Sequence, residues 1–427
     1  MSVLIFVLSI CFAMALGMPI AFALLFCGVA LMWYLGIFDA RLLAQQFIGG
    51  ADNFPLMAIP FFLLVGQIMN EAGISKRIVN FAVALAGHVR GGLGYVAIIA
   101  AFIFGGVSGS AVADAAALCS IMVPMMAYKG YDRGYSAALI GSAGIIALII
   151  PPSMTFIVFG AVSGVSIMKL FIAGIAPAVV IALGLVVAWY FLSRKMNLEV
   201  YPRKSFKELL QATREAFWAL ILPILILIGL RFGVVTPTEA AVGALAYTIF
   251  LNFAIYREVN FRDFCKLLVK GAKVSSIIVF LIASAMISSW MIAVANIPET
   301  ITSWLQPFLS SKLLLLLVIN LIVFIIGTAM DATPTILILT PVLMPVINAA
   351  GIDPVYFGVI FVLNNAIGLL TPPVGTVLNA ACGSSNVTMD EMLVKVLPFL
   401  AMETAVLILL ILVPELTIIP YQLLVGK

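Results

Sequence analysis

The chain has 427 residues, of which 64% are apolar and 9% are charged, and its formal net charge is +4. Soluble globular proteins carry about 25% charged residues, so this composition excludes a soluble fold. It predicts an all-α polytopic membrane protein with spans of about 20 residues each. A single histidine, His88, argues strongly against a histidine-based metal site. We expect a surrounding lipid bilayer and no nucleic-acid partner.

The first apolar stretch runs from Ser2 to about Ile37, which is too long for one ordinary span. No lysine or arginine precedes Arg41, so we expect a retained membrane segment rather than a cleavable signal. Pro19 predicts either one kinked helix or two short helices. Four segments that mix charged and apolar residues are predicted to be interfacial arms: 38–53, 74–90, 257–273 and 298–310.

The segment Gly91–Tyr128 is apolar but is interrupted by a glycine- and serine-rich sequence between Gly105 and Ser110. Each arm of this segment is about 15–18 residues long, which is short for a full crossing. The pattern predicts a re-entrant helical hairpin whose tip stops inside the membrane. The next segment, 133–163, is split by Pro151-Pro152, which breaks the helix because proline has no amide donor.

The proline spacing shows that these elements recur in the second half of the chain. Pro124, Pro151, Pro152 and Pro177 reappear at one constant offset as Pro345, Pro372, Pro373 and Pro398. Fifteen residues between positions 106 and 177 are identical to their counterparts at that offset. The chain is therefore predicted to be a duplicated unit with one copy in each half.

The second copy contains the same two elements as the first. Its hairpin lies at 312–349 and is interrupted at Gly327–Pro334. Its next segment, 354–384, is split by Pro372-Pro373. The two interruptions of the first copy thus have partners in the second.

This duplication divides the chain into five predicted parts. They are the first scaffold and arm at 1–90, the first transport elements at 91–190, a cytoplasmic linker with the second scaffold at 191–311, the second transport elements at 312–413, and an exposed tail at 414–427.

Lysine and arginine concentrate in the segments 193–215 and 256–273, which hold six and five of them. Short loops rich in these residues face the cytoplasm. Five basic residues flank the first hairpin segment but only Lys312 flanks the second, so the two copies are predicted to have opposite orientations. Oppositely oriented halves are the inverted-repeat design of secondary transporters.

Each hairpin tip carries one acid and one hydroxyl at matching positions in swapped order, Ser110 with Asp114 and Asp331 with Thr335. An acid at a membrane helix centre costs about 2.5–3.5 kcal/mol, so an unpaired structural role is not expected. Asp331 could alternatively cap the helix that follows it. Broken backbone at membrane depth also requires a polar, protein-lined environment.

Together these features predict one buried, oxygen-rich site for a hard cation, in which the amide ends of half-helices hold an anionic group. Asn365, like Asn364, could instead make hydrogen bonds between helices. The candidate cation- and substrate-binding residues are Ser108, Gly109, Ser110, Asp114, Pro151, Thr155, Gly327, Asp331, Thr333, Thr335, Asn365, Thr371, Gly375 and Thr376.

The sequence resembles the large membrane subunit of tripartite ATP-independent periplasmic (TRAP) transporters over essentially its whole length. The resemblance lies in five stretches of sequence: Gly105 to Asp114, Ile150-Pro151-Pro152-Ser153, Leu230 through Pro237-Thr238-Glu239-Ala240, Met330 to Thr335 followed by Leu339-Thr340-Pro341, and Thr371-Pro372-Pro373.

This resemblance implies an inverted-repeat elevator-type importer in the bacterial inner membrane, which is not an enzyme and has no cofactor other than coupled sodium ions. It implies two partners, a small four-helix membrane subunit and a periplasmic substrate-binding protein that delivers a small organic acid. Among the family's branches the chain looks most like importers of sugar acids, such as sialic acid or a ketogulonate. Sodium is implied at Ser108, Ser110, Asp331 and Thr371.

Two other functions are possible from the sequence. Gly106-Val107-Ser108-Gly109 matches the Gly-x-Ser-Gly of rhomboid-type intramembrane proteases, which pair a serine with a histidine, here His88. A stand-alone anion channel or permease is the second alternative, and it would work without a binding protein.

Overall fold

The computed structural model describes residues 1–196, 198, 202–309 and 311–425. These residues contain helices and no β-strand. The helices of the first half are α1 (Ser2–Ala15), α2 (Ile20–Tyr34), α3 (Ala40–Ala51), α4 (Ala58–Glu71), α5 (Ile74–Ala86), α6 (Gly92–Ser108), α7 (Ala111–Tyr128), α8 (Arg133–Gly144), α9 (Met154–Ser163) and α10 (Ile167–Ser193).

The second half contains α11 (Phe206–Arg231), α12 (Pro237–Phe250), α13 (Phe261–Val294), α14 (Ile297–Leu305), α15 (Lys312–Ala329), α16 (Ala332–Ala349), α17 (Pro354–Gly368), α18 (Thr376–Ser385), α19 (Met389–Leu412) and α20 (Glu415–Val425). Nine helical stretches of the described chain are long and apolar enough to cross a membrane. A multi-pass membrane fold is therefore confirmed.

The helix boundaries repeat the offset seen in the prolines. Helices α7 and α16 are related by that offset at both ends, and α8 and α17 at their first residue. The two copies differ in the continuity of one helix. Where the first copy has α3, a turn at Phe54–Met57 and α4, the second has the single 34-residue helix α13. Pro55 in the first copy explains the interruption, because proline disrupts a continuing helix.

The structure decides two points that the sequence left open or suggested differently. Residues 2–37 form two helices, α1 and α2, which pack against each other. The terminal segment was expected to be an exposed tail, and this expectation is wrong for residues 415–425. They form α20, which packs against α10 and buries Thr417, while Leu416, Ile419 and Leu423 stay exposed.

The two split helices lie at the centre of the protein. Every residue of α17 after Pro354 is buried, and so is every residue from Ser136 to Gly144 in α8. Helix α13 packs along α2, α3 and α4 on one side and along α16 on the other. The backbone break that follows α8 is therefore enclosed by protein, as unpaired backbone groups in lipid require. The break that follows α17 differs, because Pro372, Pro373 and Val374 are exposed.

Candidate functional site

The first hairpin tip is a two-residue break between α6 and α7. Gly109 ends α6 in the left-handed conformation, with φ of 62°. Ser110 then caps α7, its hydroxyl accepting a hydrogen bond from the Ala113 amide at 3.5 Å. The break falls within the predicted interruption at 105–110 but is shorter, because Gly105 to Ser108 continue α6.

Asp114 is completely buried behind this tip. The Ser108 hydroxyl donates a hydrogen bond to Asp114 Oδ1 and accepts one from the Ser110 amide at 3.2 Å. Asp114 Oδ2 has no hydrogen-bond partner among the described residues. Asp114 is therefore bonded by Ser108, and it keeps one oxygen free to bind a ligand.

The first tip rests directly on the first proline break. A Cβ atom on Gly109 would lie 2.7 Å from the Pro152 carbonyl oxygen, and one on Gly105 would lie 2.8 Å from Ala147 Cα. Glycine is required at both positions because any side chain would collide with this backbone. The tip and the break of the first copy therefore form one packed unit.

Two hydroxyls converge on one carbonyl within this break. Ser153 Oγ lies 2.5 Å and Thr155 Oγ1 2.7 Å from the Leu148 carbonyl oxygen, and all three groups are enclosed by protein. Thr155 was among the predicted site residues, whereas Ser153 was not. The position of Ser153 immediately after Pro152 is the signal that could have identified it.

The second tip has a different arrangement. Asp331 precedes α16, but its side chain makes no capping hydrogen bond and is exposed. Thr335 is buried, and its hydroxyl donates to the Asp331 carbonyl oxygen at 2.9 Å. The Asp331 side chain thus lacks the capping hydrogen bond that the alternative requires, and, unlike Asp114, Asp331 is solvent-accessible.

The second tip also packs on its own break. A Cβ on Gly368 would lie 2.7 Å from the Gly327 carbonyl carbon, and the Val374 amide donates to the Thr328 carbonyl oxygen at 3.2 Å. Thr371 Oγ1 donates to the Ile367 carbonyl oxygen at 3.0 Å. Gly375 follows with φ of 47° and begins α18.

Two adjacent asparagines on α17 have contrasting surroundings. Asn364 donates through Nδ2 to the carbonyl and side-chain oxygens of Asn320 on α15, at 2.5 and 2.9 Å. Asn365 is fully buried, and neither its Oδ1 nor its Nδ2 has a partner among the described residues. The Thr376 hydroxyl nearby in sequence is likewise buried without a partner. Asn364 therefore makes the interhelical hydrogen bond, and Asn365 is the one available for a ligand.

A cavity of about 440 Å³ joins the two tips, a volume within the usual range for small-molecule sites. Helices α2 and α13 supply its apolar wall, through Ile20 and Ile278 among others. Among the described residues, only Asp331 contributes a charged side chain to the lining. Five predicted site residues line this cavity: Gly109, Ser110, Thr155, Asp331 and Thr333.

The other predicted site residues lie outside the lining of this cavity. They form part of the tips and breaks behind it, and they are Ser108, Asp114, Pro151, Gly327, Thr335, Asn365, Thr371, Gly375 and Thr376. The apolar residues that α2 and α13 contribute were not predicted, because they have no chemical signature that distinguishes them from other membrane-facing residues.

The geometry does not support the protease alternative. His88 lies in the turn before α6, whereas Ser108 ends that 17-residue helix, so about 25 Å of helix separates them. The Ser108 hydroxyl is bonded to Asp114 instead. A serine–histidine dyad needs hydrogen-bond distance, which this arrangement excludes.

The family model described as "Tripartite ATP-independent periplasmic transporter, DctM component" matches residues 7–416. The chain belongs to the DctM family. It is thus the large membrane subunit of a TRAP transporter, a multi-pass protein of the bacterial inner membrane that acts as a secondary-transport permease and not as an enzyme.

Several DctM relatives align over most of both chains. The chain is 46% identical to the 2,3-diketo-L-gulonate TRAP transporter large permease protein YiaN of Escherichia coli, covering 99% of each. It is 35% identical to the sialic acid TRAP transporter large permease protein SiaM of Vibrio cholerae, covering 96% of each. It is 36% identical to the C4-dicarboxylate TRAP transporter large permease protein DctM of Pseudomonas aeruginosa, covering 89% of each.

Two solved structures share the fold of this DctM protein at low sequence identity. The YdaH transporter of Alcanivorax borkumensis aligns with a TM-score of 0.66 at 15% identity, covering 88% of this chain and 89% of YdaH. MtrF of Neisseria gonorrhoeae aligns with a TM-score of 0.64 at 12% identity, covering 87% and 82%. Both are membrane transporters, so the arrangement of helices is one that transporters use.

Proposed function

We propose that this DctM protein imports a small sugar-acid anion and couples the import to sodium. The observation that carries the proposal is the cavity between the two hairpin tips, in which Asp331 is the charged side chain of the described lining. An organic anion entering this cavity would be repelled by Asp331 unless a cation neutralised it first. Binding of sodium before substrate removes that repulsion and makes uptake depend on the sodium gradient.

Two sodium sites are proposed, one behind each tip. The first uses Ser108, Ser110 and the backbone of the Pro151 break, and the free Oδ2 of Asp114 supports it. The second uses Asp331 and Thr371, and the unpartnered amide oxygen of Asn365 supports it. Hydroxyl, carboxylate and carbonyl oxygens are the ligands that hard cations prefer.

The substrate carboxylate is proposed to bind at the polar groups of the two tips, where α7 and α16 direct their amide ends to the cavity. The sugar-acid class is favoured because the relative that is 46% identical is named for a diketogulonate and another for sialic acid. Both of these named ligands are carboxylates with several hydroxyl groups.

We further propose an elevator mechanism with re-entrant hairpins in oppositely oriented copies. The buried helices α8 and α17 with both hairpins would move as one body, while α2 and α13 would remain part of the scaffold. Spin labels placed on α13 and α16 provide a test, since their separation should change when sodium and substrate are added together. An unchanged separation would contradict the elevator proposal.

Transport is proposed to require a small four-helix membrane subunit and a periplasmic binding protein. Proteoliposomes that contain both membrane subunits should take up a labelled sugar acid only when the loaded binding protein and a sodium gradient are present. Uptake by this chain alone would favour the stand-alone permease instead. The binding protein encoded beside this chain can be screened first by thermal shift, against diketogulonate, sialic acid and dicarboxylates.

Substitutions at the tips test the ion sites. Asp331→Ala and Ser110→Ala should reduce the sodium dependence of uptake more than they reduce thermal stability. Asp390→Ala, which removes an acid from the first turn of α19 away from the cavity, is the matched control. If both tip variants keep the sodium dependence of the control, these two residues are not sodium ligands.

A further inference from the structure

A second cavity, of about 850 Å³, lies away from the hairpin tips, where the first turns of α11 meet Arg77 of α5 and the π-helical segment Leu251–Tyr256 that follows α12. It shares no lining residue with the cavity between the tips. The basic segments 193–215 and 256–273 adjoin it, so the orientation derived from the charge pattern places this second cavity at the cytoplasmic surface of the membrane.

Three cations line this second cavity, Arg77, Lys207 and Arg214. Arg77 is paired with Glu258 at 2.5 Å, and its guanidinium lies 4.3 Å from the centre of the Tyr256 ring. Lys207 and Arg214 form no ion pair with any described residue. The one lining acid, Glu215, accepts a hydrogen bond from Gln211 Nε2 at 3.0 Å. The cavity is therefore net positive and has two cations available to an anionic ligand.

The walls of this cavity are held in place by hydrogen bonds between helices. The Tyr256 hydroxyl donates to the Glu215 carbonyl oxygen at 3.1 Å, and the Tyr247 hydroxyl donates to the Trp218 carbonyl oxygen at 2.9 Å. Both bonds connect α11 to the helical segment that follows it. The two cations on α11 thus stand on a fixed surface, which reduces the entropy lost when a ligand binds.

Apolar side chains line the same face of α11 as the cations. Lys207, Arg214 and Trp218 are separated by seven and four residues and so share one face of the helix. Leu210 on this face is 59% exposed and Trp218 is 39% exposed. Leu210 lies between the two cations along α11, and Trp218 follows them. The cavity therefore places apolar side chains beside its cations, as the junction between a phospholipid headgroup and its acyl chains requires.

We propose that this cavity binds the phosphate headgroup of an anionic phospholipid, with Lys207 and Arg214 as its ligands and the exposed Leu210 and Trp218 against the acyl chains. Basic pockets between membrane helices on the cytoplasmic side suit such headgroups. A free phosphate would use only the cations, whereas a lipid uses both parts of the cavity. A lipid bound here would bridge α5 of the first copy and, in the second, α11 and the π-helical segment that follows α12.

The test measures binding of short-chain phosphatidylglycerol to the purified full-length chain. Each cation near an anionic headgroup contributes about 1 kcal/mol, so Lys207→Gln/Arg214→Gln should weaken binding about 30-fold, equivalent to about 2 kcal/mol. The charge-conserving Lys207→Arg/Arg214→Lys should bind like the wild type. Arg262→Gln/Lys273→Gln removes two exposed cations of α13 outside this cavity, and it should also leave the affinity unchanged.

Parallel titrations identify the ligand. Phosphatidylcholine and inorganic phosphate should each raise the melting temperature less than phosphatidylglycerol does. Equal affinity of wild type and Lys207→Gln/Arg214→Gln for phosphatidylglycerol would overturn the proposal. Inorganic phosphate as effective as the lipid would show a phosphate site rather than a lipid site, and loss of the lipid on adding the small membrane subunit would show a protein interface. Both results would also overturn the proposal.

Discussion

Replacing Gly109 with alanine perturbs the contact between the first hairpin tip and the first proline break. The new Cβ would lie 2.7 Å from the Pro152 carbonyl oxygen, where ordinary contacts begin at 3.4 Å. The tip must then move by roughly 0.7 Å, and overpacking of this kind costs about 1–3 kcal/mol. Alanine at φ of 62° adds about 1–2 kcal/mol, so we expect a total loss of about 2–5 kcal/mol.

Gly130→Ala is the matched control for this experiment. Gly130 also has a positive φ, 80°, but a Cβ there would meet no atom within 4 Å. This variant should therefore lose only the conformational term of about 1–2 kcal/mol. Comparing the two variants separates the collision with Pro152 from the cost of the left-handed backbone.

The assay is thermal unfolding of the purified protein in sodium chloride and in potassium chloride at equal ionic strength. Sodium at ten times its dissociation constant should stabilise the wild type by about 1.4 kcal/mol. Gly109→Ala should lower the melting temperature more than Gly130→Ala does and should also diminish the sodium-specific rise. Equal melting temperatures and equal sodium responses in the two variants would refute the packing of this tip on the break.

Three further predictions concern single polar side chains. Asn365→Leu should keep or raise the melting temperature, because it removes an unsatisfied amide that costs about 1–3 kcal/mol when no ligand is bound. It should also abolish the sodium-specific rise. Asn364→Leu should be destabilising, because it removes the hydrogen bond to Asn320. Burial raises the pKa of Asp132, but the hydrogen bonds from Lys395 and a backbone amide outweigh it. The pKa of Asp132 therefore lies below its usual value. The stabilisation of the fold by charged Asp132 is therefore complete above about pH 4 and is lost as the pH falls further. Asp132→Asn should cost about 1 kcal/mol of stability at pH 7 and should flatten the acid side of a curve of stability against pH. Glu403 is fully buried and has no hydrogen-bond partner among the described residues. An unpaired buried carboxylate is too costly to remain charged, so Glu403→Gln should unfold within a degree or two of the wild type. A much lower melting temperature of this variant would show that the charged form is needed.

The breaks of the fold were predictable because their causes are local. Proline removes an amide donor wherever it occurs in a helix, so Pro151-Pro152 and Pro372-Pro373 marked two interruptions from the sequence alone. Gly109 similarly marked a tip, and the constant offset between matching prolines related the two copies. The helix boundaries of α7 and α16 follow that offset at both ends.

The pairing of polar groups was less predictable. The sequence placed Ser108, Ser110 and Asp114 at one tip without pairing them, and the fold brings the Ser108 hydroxyl to Asp114. Asn364 and Asn365 are chemically identical neighbours. Asn364 makes a hydrogen bond to α15, whereas the side chain of Asn365 has no hydrogen-bond partner among the described residues. Adjacent residues on a helix point about 100° apart, so the packing of α17 decides which one is free.

The sequence by itself determined the membrane class and the positions of the helix breaks, because composition, proline and glycine act locally on the backbone. The tertiary structure alone decided which oxygens remain unpaired and that α2 and α13 wall the cavity. It also decided that residues 415–425 form a packed helix. These features depend on contacts between residues far apart in the chain. Their free energy is set by the partner that packs against each residue and not by the residue alone.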